Sequence, residues 1–165
     1  CFFAAKFAGA GRILVSGVGK ARKELIEKYG GTYFDVKDGN LVDAVREWSD
    51  GKMAGVVYEC VGSQRTLDDC INVMKPCAKL MVMGVFEKSP VFPMNLFQEA
   101  EREMYTSQAH VDEIGIALKY ISEGKIDTEE LITREVTLDT LVQDGFEELI
   151  ANGPQHIKVV IKINP

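Results

Sequence analysis

What most constrains this chain is a repeated change of hydrophobic period. Short apolar runs alternate with longer stretches in which apolar residues recur every three or four positions. ILVS at 13–16 is such a run, and residues 20–29 follow as a charged helix with Leu25, Ile26 and Tyr29 on one stripe, closed by Gly30-Gly31. TYFDV at 32–36 returns to strand. Leu41, Val42, Val45 and Trp48 then recur at helical spacing before the Asp50-Gly51 turn. GVVYEC at 55–60 is a strand, and 66–74 a helix buried through Leu67, Cys70, Ile71 and Met74 and stopped by Pro76. KLMVMGVF at 79–86 is apolar nearly throughout, as expected of a strand covered on both faces. Strands separated by helices require crossover connections, because parallel neighbours cannot be joined by a tight turn. The pattern predicts an α/β fold with a doubly wound parallel sheet.

The later part changes character. After Pro90 and Pro93 the sequence predicts a short helix around 95–101, a strand near 103–107, and a helix at 112–123 with Ile114, Leu118 and Ile121 as its buried face. Gly124 ends that helix. LITREVTL at 131–138, a helix at 139–151 and IKVVIKI at 157–163 form a β-α-β tail, and a domain boundary is expected near Ile126-Asp127.

Composition narrows the class. With 165 residues, 46% hydrophobic and 27% charged, the chain reads as an ordinary globular protein able to bury a core. A net charge of −6 and interspersed acids and bases argue against a nucleic-acid surface, which needs clustered Lys and Arg. Cys1, Cys60, Cys70 and Cys77 form no CxxC pair and have no histidine at metal spacing, so they are expected to be buried or half-buried free thiols in a reducing compartment. No apolar run is long enough for a bilayer and no signal peptide is recognisable, so a cytoplasmic protein is expected. The chain opens at Cys1 without methionine, inside a helix-like CFFAAKFAGA carrying Phe3 and Phe7 on one face, and this suggests a truncated piece.

Three strands run into glycine-bearing loops: Ser16-Gly17-Val18-Gly19, Val61-Gly62-Ser63 and Gly84-Val85. In an open parallel sheet, ligands bind beyond the carboxyl ends of the strands, where a glycine allows close approach to the backbone. Gly17 and Gly19 alone are a poor dinucleotide fingerprint, because Arg22 stands where the third glycine of GxGxxG would be.

The ordered set AKFAGAGRILVSG, GVVYECVGS, KLMVMGVFEK, LITREVTL and HIKVVIKI resembles the medium-chain dehydrogenase/reductase family, on its zinc-containing alcohol and polyol branch. The resemblance covers essentially the whole chain. It implies a Rossmann-like nucleotide-binding domain over residues 1–126, lacking its first strand and fingerprint, and a remnant of the GroES-like catalytic domain over 127–165. It further implies hydride transfer between a secondary alcohol or polyol and NAD(P), performed by a parent protein. The piece itself is expected to be inactive. The alternatives are a zinc-free quinone or enoyl reductase of the same superfamily, or a non-catalytic nucleotide-binding module.

In that family ILVS is the strand whose end reads the adenosine ribose. NAD-preferring relatives usually carry an acid at the position of Gly17. A glycine there, with Ser16, Lys20 and Arg22 nearby, implies an NADP lean, since Lys and Arg can meet a 2′-phosphate. Cys60, Val61 and Gly62 would line the cofactor crevice. Met83, Gly84 and Val85 would offer backbone groups to the nicotinamide carboxamide, and Lys158 would contact the pyrophosphate. The zinc ligands and proton relay belong to the missing half, so no catalytic or metal-binding residue is expected in this chain. His110 and His156 are expected to be surface or capping residues, with Asp112 capping a helix. The absent first strand would leave a slot, closed either by pairing 13–16 with 55–60 or by a strand of another copy. Relatives are dimers or tetramers, which implies a homo-oligomer acting on a small molecule, without nucleic acid or membrane.

Overall fold

The computed structural model describes residues 1–163, and of Lys20 its backbone only. The elements follow the expected alternation: α1 (Phe2–Phe7), β1 (Leu14–Gly17), α2 (Lys20–Lys28), β2 (Thr32–Asp35), α3 (Leu41–Trp48), β3 (Ala54–Glu59), α4 (Gln64–Asn72), β4 (Met74–Val82), α5 (Met94–Gln98), β5 (Glu103–Thr106), α6 (Glu113–Ser122), β6 (Ile132–Thr137), α7 (Glu148–Asn152) and β7 (Lys158–Lys162). All ladders are parallel, and they form three sheets with the orders β1-β2, β3-β4-β5 and β6-β7. No helix among the described residues is long and apolar enough to cross a membrane.

The chain divides into two compact units, one of residues 1–38 and 111–165, the other of 39–110. The second unit holds the main core. Leu67 and Ile71 of α4 pack with Met74, Ala78 and Leu80 of β4 and Phe97 of α5. Full burial of side chains such as Leu67, Ile71 and Leu80 contributes about 1.5–3 kcal/mol each. Asn40 caps α3 by accepting from Val42 N and Asp43 N, and Ser63 caps α4 in a reciprocal box with Thr66.

Strand β4 departs from the reading of 79–86. It starts at Met74 and its register against β3 slips between Ala54 and Val56, with Cys77 at φ 55° in the displaced segment. Arg102 braces this irregularity, donating to the carbonyls of Met74 (2.7 Å), Lys75 and Leu96 (both 3.4 Å). The strand leaves its ladder after Val82, and it is not covered on both faces, since Lys79 is exposed beside the buried Leu80.

In the first unit, Phe3 and Phe7 of α1 share one face and meet Tyr29 and Tyr120, with ring centroids 4.9 and 4.6 Å apart. Helix α6 does not have the expected buried face: Ile114, Leu118 and Ile121 are 54%, 59% and 38% exposed. Amphipathic spacing identifies an apolar face but not the surface that covers it. The helix predicted over 139–151 is a π-helix at Leu141–Glu147 continued by α7. The buried Gly145 lies under Leu141, which would leave an added Cβ only 3.0 Å from Leu141 Cδ1. Phe146 and Ile150 are exposed.

Strand β1 pairs with β2, its neighbour in sequence, where the loop to be closed is short. Two expectations are corrected. Cys1, Cys60 and Cys77 are exposed and only Cys70 is half-buried: Cys1 stands at the N-cap of α1, Cys60 follows the end of β3 and Cys77 lies in the β4 irregularity. His156 is buried rather than a surface residue. Its Nε2 lies 2.9 Å from Glu148 Oε1 and its Nδ1 3.3 Å from Thr133 Oγ1, so its polar atoms are satisfied inside the tail.

Candidate functional site

In the second unit, strands β3 and β4 lie side by side and both run into glycine turns at their carboxyl ends. The two turns touch. A Cβ on Gly62 would stand 2.2 Å from Val85 O, and one on Gly84 2.2 Å from Gly62 N and 2.4 Å from Glu59 Oε2. Gly62 also has φ 84°, a region that L side chains rarely adopt. These glycines are therefore required first by each other, before any ligand approaches.

Glu59, which the sequence reading passed over, organises the junction. Its side chain is fully buried at the last position of β3. Oε1 accepts from Val61 N (3.0 Å), Gly62 N (2.9 Å) and Thr66 Oγ1 (2.6 Å), and Oε2 from Gly62 N (3.1 Å). Its carbonyl accepts from Met83 N (2.8 Å) and Gly84 N (3.1 Å). One residue thus holds both turns and the start of α4. The signal in the sequence was an acid closing an otherwise apolar strand, where a buried charge is rare unless hydrogen-bonded.

The consequence for ligand chemistry is specific. The N–H groups of Val61, Gly62, Met83 and Gly84 are committed to Glu59, so a ligand at this rim would meet carbonyl oxygens more readily than amide donors. Cys60, Val61, Met83 and Val85 are exposed at the turns. Burial holds the Cys60 thiol up, and the half-buried Cys70 behind it is pushed up to about 12 by burial and then by the Glu59 charge. Beside the turns, the Gln64 amide makes a reciprocal pair with Val91, accepting from its N–H (2.8 Å) and donating to its C=O (3.0 Å). A cavity of about 240 Å³ lined by Leu67, Val82, Phe86, Pro90, Phe92, Met104 and Thr106 lies in the same unit.

The other predicted residues belong to the first unit. Ser16 is exposed in β1 and Gly17 is the last residue of that strand, paired with Asp35. Gly19, at φ 112°, precedes α2, and a Cβ there would overlap the Pro154 carbonyl at 1.8 Å. The Arg22 guanidinium donates from Nη1 to Val18 O at 3.1 Å. The Lys20 side chain lies outside the described residues. Lys158 is exposed at the start of β7, opposite Ile132.

Under the β1 turn sits a second residue absent from the sequence reading. Tyr33, paired with Val15, leans along the strand so that its hydroxyl would be 3.1 Å from a Cβ on Gly17. Tyr33 is 9% exposed, and its hydroxyl is buried without a hydrogen-bond partner. Burial raises its pKa, with the Asp35 charge adding to the rise and Arg22 opposing it, so the group is a donor at neutral pH.

Among the described residues no three His, Cys, Asp or Glu side chains cluster as a metal site. No set of three zinc-type side chains is therefore assembled among those described residues. Asp112 precedes α6 without making a side-chain capping bond, and Glu113 instead accepts from Val111 N and Asp112 N.

Residues 2–123 match the family model described as zinc-binding dehydrogenase. Among curated proteins, the chain is 26% identical over 155 residues to (R,R)-butanediol dehydrogenase of Neisseria gonorrhoeae, covering 93% of this chain and 44% of that protein. It is 22% identical over 164 residues to sorbitol dehydrogenase of Bacillus subtilis, covering 98% and 46%. The crystal structure of 2R,3R-butanediol dehydrogenase from Bacillus subtilis superposes with a TM-score of 0.86 at 23% identity, over 99% of this chain and 47% of that one. The chain spans about half the length of the curated relatives it matches.

Proposed function

The chain belongs to the zinc-binding dehydrogenase family, and on that footing we propose that it is the cofactor-binding portion of an oxidoreductase that moves a hydride between a secondary alcohol or polyol and NAD(P). Residues 127–165, whose strands form a sheet of their own, are read as the returning piece of the catalytic domain. The relatives named as butanediol and sorbitol dehydrogenases support the substrate class. When bound, the nicotinamide supplies the hydride chemistry, and the residues here hold and orient the cofactor.

The observation that carries this reading is the carboxyl-end rim of parallel strands β3 and β4, where Glu59 braces two mutually packed glycine turns. A brace of this kind pre-organises a binding edge, so that ligand binding need not order it. At the end of β1, Gly17 leaves out the acidic side chain that would accept from ribose hydroxyls, and Arg22 stands in the first turn of α2. This arrangement favours NADP over NAD. In the first unit Lys158 is proposed to meet phosphate, with Ser16 and Gly17 at the ribose; in the second, Cys60, Val61, Gly62, Met83, Gly84 and Val85 are proposed for the nicotinamide end. Zinc is proposed only for the longer protein.

Calorimetric titration of this chain with NADPH and NADH tests the reading. Binding of both, with NADPH tighter, is the expected result. Absence of binding to either overturns the cofactor assignment, and tighter NADH overturns the NADP lean alone.

A further inference from the structure

We infer that the Tyr33 hydroxyl is the donor for the oxygen carried at the 2′ position of the adenosine ribose, in the place where an acid projecting from Gly17 would otherwise sit. This rests on the reading of the β1 turn as the adenosine end of the cofactor site.

Four observations converge. The hydroxyl is buried and unpartnered, and a buried polar group without a partner costs free energy that a natural sequence ordinarily avoids by using phenylalanine. It lies at the carboxyl end of a parallel ladder, 3.1 Å from the Cβ position of Gly17, so any side chain at 17 would fill the space in front of it. Helix α2 begins three residues after Gly17 and is nine residues long, presenting its amide end to the same turn. Arg22 is exposed, and its guanidinium makes a 3.1 Å bond to Val18 O on that turn.

The chemistry is the inverse of an acidic ribose clamp. A carboxylate accepts from the 2′-hydroxyl and repels a 2′-phosphate. A tyrosine hydroxyl kept protonated by its surroundings donates to either oxygen, more strongly to the charged one. Because the hydroxyl is closed off from solvent, the ligand oxygen must enter under the turn, and the exposed Arg22 side chain is the group free to swing from the Val18 carbonyl onto it. The unsatisfied hydroxyl then gains its partner only when a ligand is bound, which makes it a specificity device with no cost to the bound state.

The test titrates this chain and its Tyr33→Phe variant with adenosine 2′,5′-bisphosphate, 5′-AMP and 2′-deoxyadenosine 5′-monophosphate, alongside thermal melts. Wild type should bind the bisphosphate most tightly and the deoxynucleotide least. Tyr33→Phe should weaken the first two by about tenfold or more, leave the deoxynucleotide unchanged, and melt at or above the wild-type temperature. A variant that binds all three as wild type does overturns the role of Tyr33 and leaves the cofactor reading standing. A wild type that binds none of them, or is indifferent to the 2′ position, overturns the cofactor reading of this turn and the inference with it. Gly17→Ala provides a second variant, since its methyl crowds the hydroxyl from the turn. It should weaken the two 2′-oxygen ligands in the same order, and a variant that binds all three as wild type does again overturns the role of Tyr33.

Discussion

The Thr66 hydroxyl donates to Glu59 Oε1 at 2.6 Å, the shortest of the bonds that the buried carboxyl receives. Because its one proton is spent there, the 2.8 Å contact between Thr66 and Ser63 must be made by the Ser63 hydroxyl. A single chain of bonds therefore runs from the end of β3 through the first turn of α4.

Removing the middle link should be costly. Thr66→Val keeps the shape but strips Glu59 of its hydroxyl donor, and should lower unfolding free energy by about 1–3 kcal/mol. Glu59→Ala, which leaves the Val61, Gly62 and Thr66 donors unpaired, should cost more. Urea denaturation of the three proteins checks the order.

The glycines divide by what surrounds them. Gly84→Ala would press a methyl against Gly62 N and Glu59 Oε2 and should destabilise by about 1–3 kcal/mol. Gly115, inside α6 with nothing within 4 Å of its Cβ position, should behave oppositely. Gly115→Ala should stabilise by about 0.5–1 kcal/mol. Thermal melts distinguish the two.

The tail should weaken in acid. The Glu148 carboxyl is held below its usual 4.5 by the His156 hydrogen bond first, then by Asn152 and Arg134. A depressed folded-state pKa means that the stabilisation is complete above the unfolded value near 4.5 and is lost as pH falls through the folded value. Amide exchange of β6 and β7 should accelerate below that pH in wild type, and Glu148→Gln should flatten this part of the profile.

The thiols should react in order of exposure and acidity. Cys70, half-buried and pushed up to about 12, should be the last of the four to be alkylated at pH 8 in the folded protein. Cys1 and Cys77 should lead, with Cys60 slowed by its raised pKa. Mass spectrometry of timed iodoacetamide reactions follows each site, and adding denaturant should abolish the difference.

The strand and helix periods by themselves determined the element order, since a repeat of two or of 3.6 is written locally in residues such as Leu41, Val45 and Trp48, which form α3 as spaced. They also marked the strand ends where Gly17, Gly62 and Gly84 stand. Tertiary structure alone decided what those ends do. That Gly62 and Gly84 pack on each other, that the Glu59 carbonyl accepts from Met83 and Gly84, and that Tyr33 reaches beneath Gly17 are contacts between residues well separated in sequence. The same holds for His156, which finds Glu148 eight positions away only because α7 turns back toward β7. Helical spacing likewise named Ile114, Leu118 and Ile121 as one face but could not say whether anything covers it. Hydrophobic period is a property of one segment, whereas burial and hydrogen-bond pairing belong to the contact between two.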